Sequence, residues 1–143
     1  MMVYSTAQAA VCRTAEVPAC ETCVASGTDI PALATFNMKL RDKLDFAVDF
    51  TAWLVANGGA SLTSATFAVS GDSPKTPTIS GQAFGAAGKA VVVITPANGA
   101  VVGDAYYLDV TAQVAATVAA TANDVAIPAR TLVRRINVVV AAG

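Results

Sequence analysis

Between Ala105 and Val114 the chain alternates without a break, with Tyr106, Leu108, Val110, Ala112 and Val114 on one side and Ala105, Tyr107, Asp109, Thr111 and Gln113 on the other. Successive side chains of a strand point to opposite faces, so this period of two predicts a half-buried β-strand and excludes a helical stripe over the same residues. Shorter runs of the same kind recur between turn signals. Leu62–Ser70 alternates with Ala65, Phe67 and Val69 on one face, and Gly71-Asp72-Ser73-Pro74 follows it as a turn. Lys89–Thr95 carries Val91, Val92, Val93 and Ile94 in succession, the pattern of a strand covered on both faces, and Pro96-Ala97-Asn98-Gly99 ends it.

Other segments admit competing assignments. Leu44, Phe46, Val48, Phe50, Ala52 and Leu54 alternate with Asp45, Ala47, Asp49, Thr51 and Trp53, and the aromatic and β-branched content favours a strand that ends at Asn57-Gly58-Gly59. Leu40, Leu44 and Val48 also fall at helical spacing, so a helix over 40–54 is the alternative. Residues 76–80 read as a short edge strand, because Pro77 lacks the donor that a central ladder needs, and Gly81, Gly85 and Gly88 read as a loop. The Ala-rich stretch 115–122 suits a connecting loop or a short helix. Over 131–140, Leu132, Ile136 and Val138 lie on one parity and Val133 and Val139 on the other, which predicts a bulge near Arg134 and Arg135.

Six or seven short strands with no alternating long helices predict an all-β fold, an antiparallel immunoglobulin-like sandwich over residues 35–143. The disulfide pattern of antibody domains is missing, since every Cys precedes this region. Residues 1–34 hold Ser, Thr, Ala and two prolines without sustained periodicity and read as an extended N-terminal arm that orders against a partner.

Composition narrows the function. Charged residues make up 13% of the 143-residue chain and hydrophobic residues 55%, against roughly 25% charged in soluble domains generally. A chain so poor in charge is expected to hide surface in an assembly, against copies of itself and other subunits. The formal net charge of −1 supplies no extended positive field, so nucleic acid is not an expected partner. The most apolar stretch, 90–107, is interrupted by Pro96, Asn98, Gly99 and Asp104, so no membrane span is expected. Residues 1–11 contain no Lys or Arg, and Ser5, Thr6 and Gln8 interrupt their apolar run, which speaks against a secretory signal; Ala9-Ala10-Val11-Cys12 lacks the basic start of a lipoprotein signal.

The chain has no His, which removes the usual proton shuttle and metal ligand and with them most hydrolase schemes. Cys20-Glu21-Thr22-Cys23 has CxxC spacing, yet Cys12 supplies at most a third thiolate and no strand and helix flank the motif for redox work. Reduced thiols on the arm, a disulfide within or between subunits, and a metal completed from outside are the three readings of Cys12, Cys20 and Cys23. Asp45 and Asp49 share a face about 13 Å apart, too far for a retaining glycosidase pair, and read as solvated. No phosphate-binding glycine loop is present. The sequence therefore predicts neither an enzyme nor a cofactor. Its candidate residues are interface residues: Lys39, Arg41 and Lys43 as a basic stripe of one parity, Arg130, Arg134 and Arg135 as a second cluster, and Trp53 as either core or interface anchor. The alternative for both basic groups is a strand edge guarded by charge.

The block Lys43-Leu44-Asp45-Phe46-Ala47-Val48-Asp49-Phe50-Thr51-Ala52-Trp53-Leu54 resembles the opening strand of a family of small tailed-phage structural proteins, the fiber-tail adaptor proteins. Further similarity runs through 65–69, 90–94, 106–114 and 130–140. Phe46 and Phe50 stand where the family has Tyr and Trp, and the Cys-bearing arm has no counterpart. The resemblance implies a bacteriophage virion component, made in the host cytoplasm, that docks to tail, connector, fiber or capsid subunits in symmetric copies. The arm adds a second reading, capsid decoration, and a bacterial surface adhesion module is a third.

Overall fold

In the computed structural model, residues 13–18, 32–70, 77–97, 99–118 and 121–141 are described. Eight strands and one short helix make up this part: β1 (Thr14–Glu16), β2 (Ala32–Lys39), β3 (Leu44–Asp49), α1 (Thr51–Ala56), β4 (Leu62–Ser70), β5 (Thr78–Phe84), β6 (Lys89–Thr95), β7 (Ala105–Val114) and β8 (Arg130–Ala141). They form two four-stranded sheets, in the orders β1-β3-β6-β5 and β2-β8-β7-β4.

The alternation in β7 does what its period requires. Tyr106, Leu108, Val110, Ala112 and Val114 are all buried, and the residues between them are half-buried. From the other sheet Phe46 and Val48 of β3 and Ala90, Val92 and Ile94 of β6 face them, each with no exposed surface. Fully burying a Val, Leu, Ile or Phe side chain stabilises a fold by about 1.5–3 kcal/mol, so this shared core is what holds the sheets together. On the opposite face of β6, Val91 packs with Ala47, its register partner on β3, which explains the unbroken Val run.

Several expectations need correction. The sheets are mixed, not antiparallel: β1 runs parallel to β3, and β2 runs parallel to β8. Both parallel strands come from the N-terminal part of the chain and are far enough in sequence from their partners, or joined to them by a long enough connection, to run alongside them. Part of the stretch assigned to the arm belongs to the domain. Thr14–Glu16 is a strand, Ala15 and Val17 are buried in the core, and Val17 N–H donates to the Asp49 carbonyl at 2.9 Å.

The strand expected to reach Leu54 stops at Asp49. The Asp49 carboxylate accepts from the Thr51 backbone N–H at 2.9 Å and from its hydroxyl at 2.6 Å, which turns the chain into α1. Phe50 and Leu54, four residues apart, then bury on one helical face. Gly58 and Gly59 have positive φ and end the helix where a strand turn was expected. β5 continues through Gly81 to Phe84, with a register shift between Ile79 and Gly81 in place of the expected loop, and it is the edge strand of its sheet. β8 pairs with β7 in unbroken register from Arg130 to Val139; the irregularity near Arg135 lies on its other side, where the pairing with β2 shifts between Ala32–Arg135 and Thr35–Asn137, so the extra residue sits in β2 and not in β8. Val133 and Val139 are half-buried on the outer face, a level of burial that an outward Val tolerates.

Candidate functional site

The strand directions divide the connections into two ends. At one, the turn 40–43 joining β2 to β3 meets the loop 96–104 joining β6 to β7, and Leu40, Arg41, Pro96, Ala97, Gly99 and Ala100 line a shared groove. At the other, α1 and its following turn meet the 85–88 turn and the connection from β7 to β8. Phe50 N–H donates to the Gly88 carbonyl at 2.8 Å, Ala115 N–H to the Ser61 carbonyl at 2.9 Å, and Arg130 Nη2 to the Asn57 carbonyl at 2.8 Å. We refer to these as the Leu40 end and the Trp53 end.

Lys39, Arg41 and Lys43 lie at the Leu40 end and are exposed. They do not form a strand stripe, because β2 stops at Lys39 and β3 begins at Leu44 in the other sheet. Their grouping comes from a tight turn whose Asp42 carboxylate accepts from Lys39 N–H at 3.0 Å. Trp53 sits half-buried on α1, packed against the core, with the Arg130 guanidinium 5.0 Å from its ring centroid.

The second basic group is dispersed. Arg130 starts β8 at the Trp53 end. Arg134 has the core-facing parity of Leu132 and Ile136, with Nη1 donating to the Val133 carbonyl at 2.8 Å. Arg135 faces the other way and grips Asp109, its register partner, by two bonds of 2.6 and 3.0 Å while lying 4.5 Å from the Tyr107 ring centroid. Consecutive residues on a strand cannot share a face.

The carboxylates read as solvated have structural work instead. Asp45 pairs with Arg13 at 2.7 Å, and Asp49 holds the start of α1. Cys12, Cys20 and Cys23 lie outside the described residues. Among the described residues no group of three or more Asp, Glu, Cys or His could hold a metal ion, and no helix is long and apolar enough to cross a membrane.

Sequence reasoning missed the exposed apolar residues at the two ends. Leu40, Val101 and Val102 are 40, 56 and 53% exposed at the first, and Val55, Val118 and Val125 are 73, 88 and 83% exposed at the second. For Val101, Val102, Val118 and Val125 the signal in the sequence was a Val in a segment without strand periodicity.

No known protein family matches this chain, and no curated protein or solved structure matches it either.

Proposed function

We propose that this chain is a non-enzymatic structural subunit of a tailed-phage particle, of the fiber-tail adaptor type, built on an immunoglobulin-like sandwich. The observation that supports the sandwich part of this reading is strand order, and the role itself rests on the resemblance of residues 43–54. β3-β6-β5 runs in the order B-E-D of the immunoglobulin constant-type sheet, and β8-β7-β4 runs in the order G-F-C of its partner sheet. The block that resembles the adaptor family covers β3 and α1, and its two aromatic substitutions, Phe46 and Phe50, are both fully buried, where an apolar ring without a polar tip is suited. β1 departs from the sandwich pattern by running parallel to β3. The low charge content and the lack of His agree with a role in which surface is covered by neighbouring subunits of the particle.

The test is genetic and structural. Particles are prepared from the encoding genome with and without the gene for this chain, and the chain is located by gold labelling. The proposal expects particles arrested before tail or fiber attachment, restored by a supplied copy, with label at the tail or connector. Normal infectious particles without the gene would overturn it, and label over the whole head would replace tail adaptor by capsid decoration.

A further inference from the structure

We infer that this chain self-associates head to tail, the Leu40 end of one copy docking on the Trp53 end of the next. The inference deepens the assembly reading and rests on it. Its first support is where the apolar surface lies. Leu40, Val101 and Val102 are exposed at one end and Val55, Val118 and Val125 at the other, while Phe84 closes β5 beside the second end. The large exposed apolar side chains among the described residues are thus gathered at the two ends and not scattered over the sheet faces, and gathered apolar surface marks interaction sites.

The second support is charge. Among the described residues of the Leu40 end the cations Lys39, Arg41 and Lys43 outnumber the acids Asp42 and Asp104. Both acids hold loop backbone, Asp42 from Lys39 N–H and Asp104 from Val101 N–H, each at 3.0 Å. The three cations are exposed at this end, with Arg41 lining the groove. Among the described residues of the Trp53 end the acids Glu16, Asp49 and Asp124 outnumber Lys89 and Arg130; here too the groups are partly engaged, Asp49 by Thr51 N–H, Asp124 by Thr121 N–H, and Arg130 over Trp53 and on the Asn57 carbonyl. The two ends therefore complement each other in charge while each repels its own like, which disfavours a two-fold contact and favours a heterologous one. A heterologous contact repeats, and it gives a ring where the rotation closes and a filament where it does not.

Sedimentation equilibrium of the full chain distinguishes the outcomes, using two double variants, Val101→Asp/Val102→Asp at the Leu40 end and Val55→Asp/Val118→Asp at the Trp53 end. All four positions are exposed, so both variants are expected to keep the wild-type melting profile; if either does not, Arg41→Glu and Glu16→Lys, both at exposed positions, test the same ends by charge. Wild type is expected to grow past a dimer with concentration. Each variant alone is expected to associate at least about tenfold more weakly, and an equimolar mixture is expected to stop at a one-to-one dimer through its two intact ends. A wild-type chain that stays monomeric, or that stops at a dimer, would overturn the inference. The adaptor reading is tested separately, because a chain found in particles yet monomeric in solution defeats head-to-tail contact alone.

Discussion

At Gly88 the chain has φ +135°, and a Cβ there would stand 2.7 Å from the Thr51 backbone nitrogen and 2.9 Å from its Cα. Both the conformation and the space require glycine, because neither backbone atom can yield. Gly88→Ala is expected to cost about 2–4 kcal/mol, read from chemical denaturation; a midpoint equal to wild type would contradict the packing of α1 on this turn. Trp53 and Arg130 make a second residue-scale test. Truncating the half-buried ring is expected to cost about 2 kcal/mol, and a double-mutant cycle with Arg130→Ala should return a coupling of about 0.5–1 kcal/mol. Zero coupling would mean that the guanidinium merely lies near the ring. Tyr106 is 2% exposed, its hydroxyl has no hydrogen-bond partner among the described residues, and burial, with Asp104 nearby, raises its pKa above the ordinary 10.0. The unfolded chain then releases this proton first, so the contribution is complete below pH 10.0 and is lost as pH rises through the higher folded value. Tyr106→Phe is expected to be at least as stable as wild type at neutral pH and to lose less stability above about pH 10. A steeper alkaline loss in the variant would reverse the sign.

β1 is three residues long and yet carries Ala15 into the core, with Val17 just beyond it. Val17→Asp is expected to cost about 3 kcal/mol or more, because a buried carboxylate must be desolvated or protonated, whereas exposed Glu16→Ala should stay within about 0.5 kcal/mol. Equal melting of the two variants would remove β1 from the domain. Elements of this size show what sequence alone can disclose. β6 and β7 were legible to the residue because ten or seven consecutive residues obey one rule. β1 was illegible because Thr14, Ala15 and Glu16 are too few to show a period, and their burial depends on the distant β3. The change from β3 to α1 was hidden for a related reason: Phe50 and Leu54 fit an alternation and a helical face equally well, and the Asp49 side chain decides between them. The second basic group failed on parity, since Arg134 and Arg135 are neighbours in sequence and opposite in the sheet.

Across the whole molecule, the two sheets bring residues from five separated connections to two ends, so the candidate docking surfaces could not be read from any one segment. Lys39, Arg41 and Lys43 were legible as cations, but their apolar neighbours Val101 and Val102 come from a loop some sixty residues on. The block on which the proposed adaptor reading rests, residues 43–54, lies in the core-forming β3 and α1, so the ends are the surfaces left for contacts. The most direct test of the proposed role as a particle subunit is quantitative mass spectrometry of gradient-purified particles made from the encoding genome. The account predicts this chain at a fixed copy number per particle, in a small multiple set by the symmetry of the tail or connector. Its absence from intact, infectious particles would contradict that role.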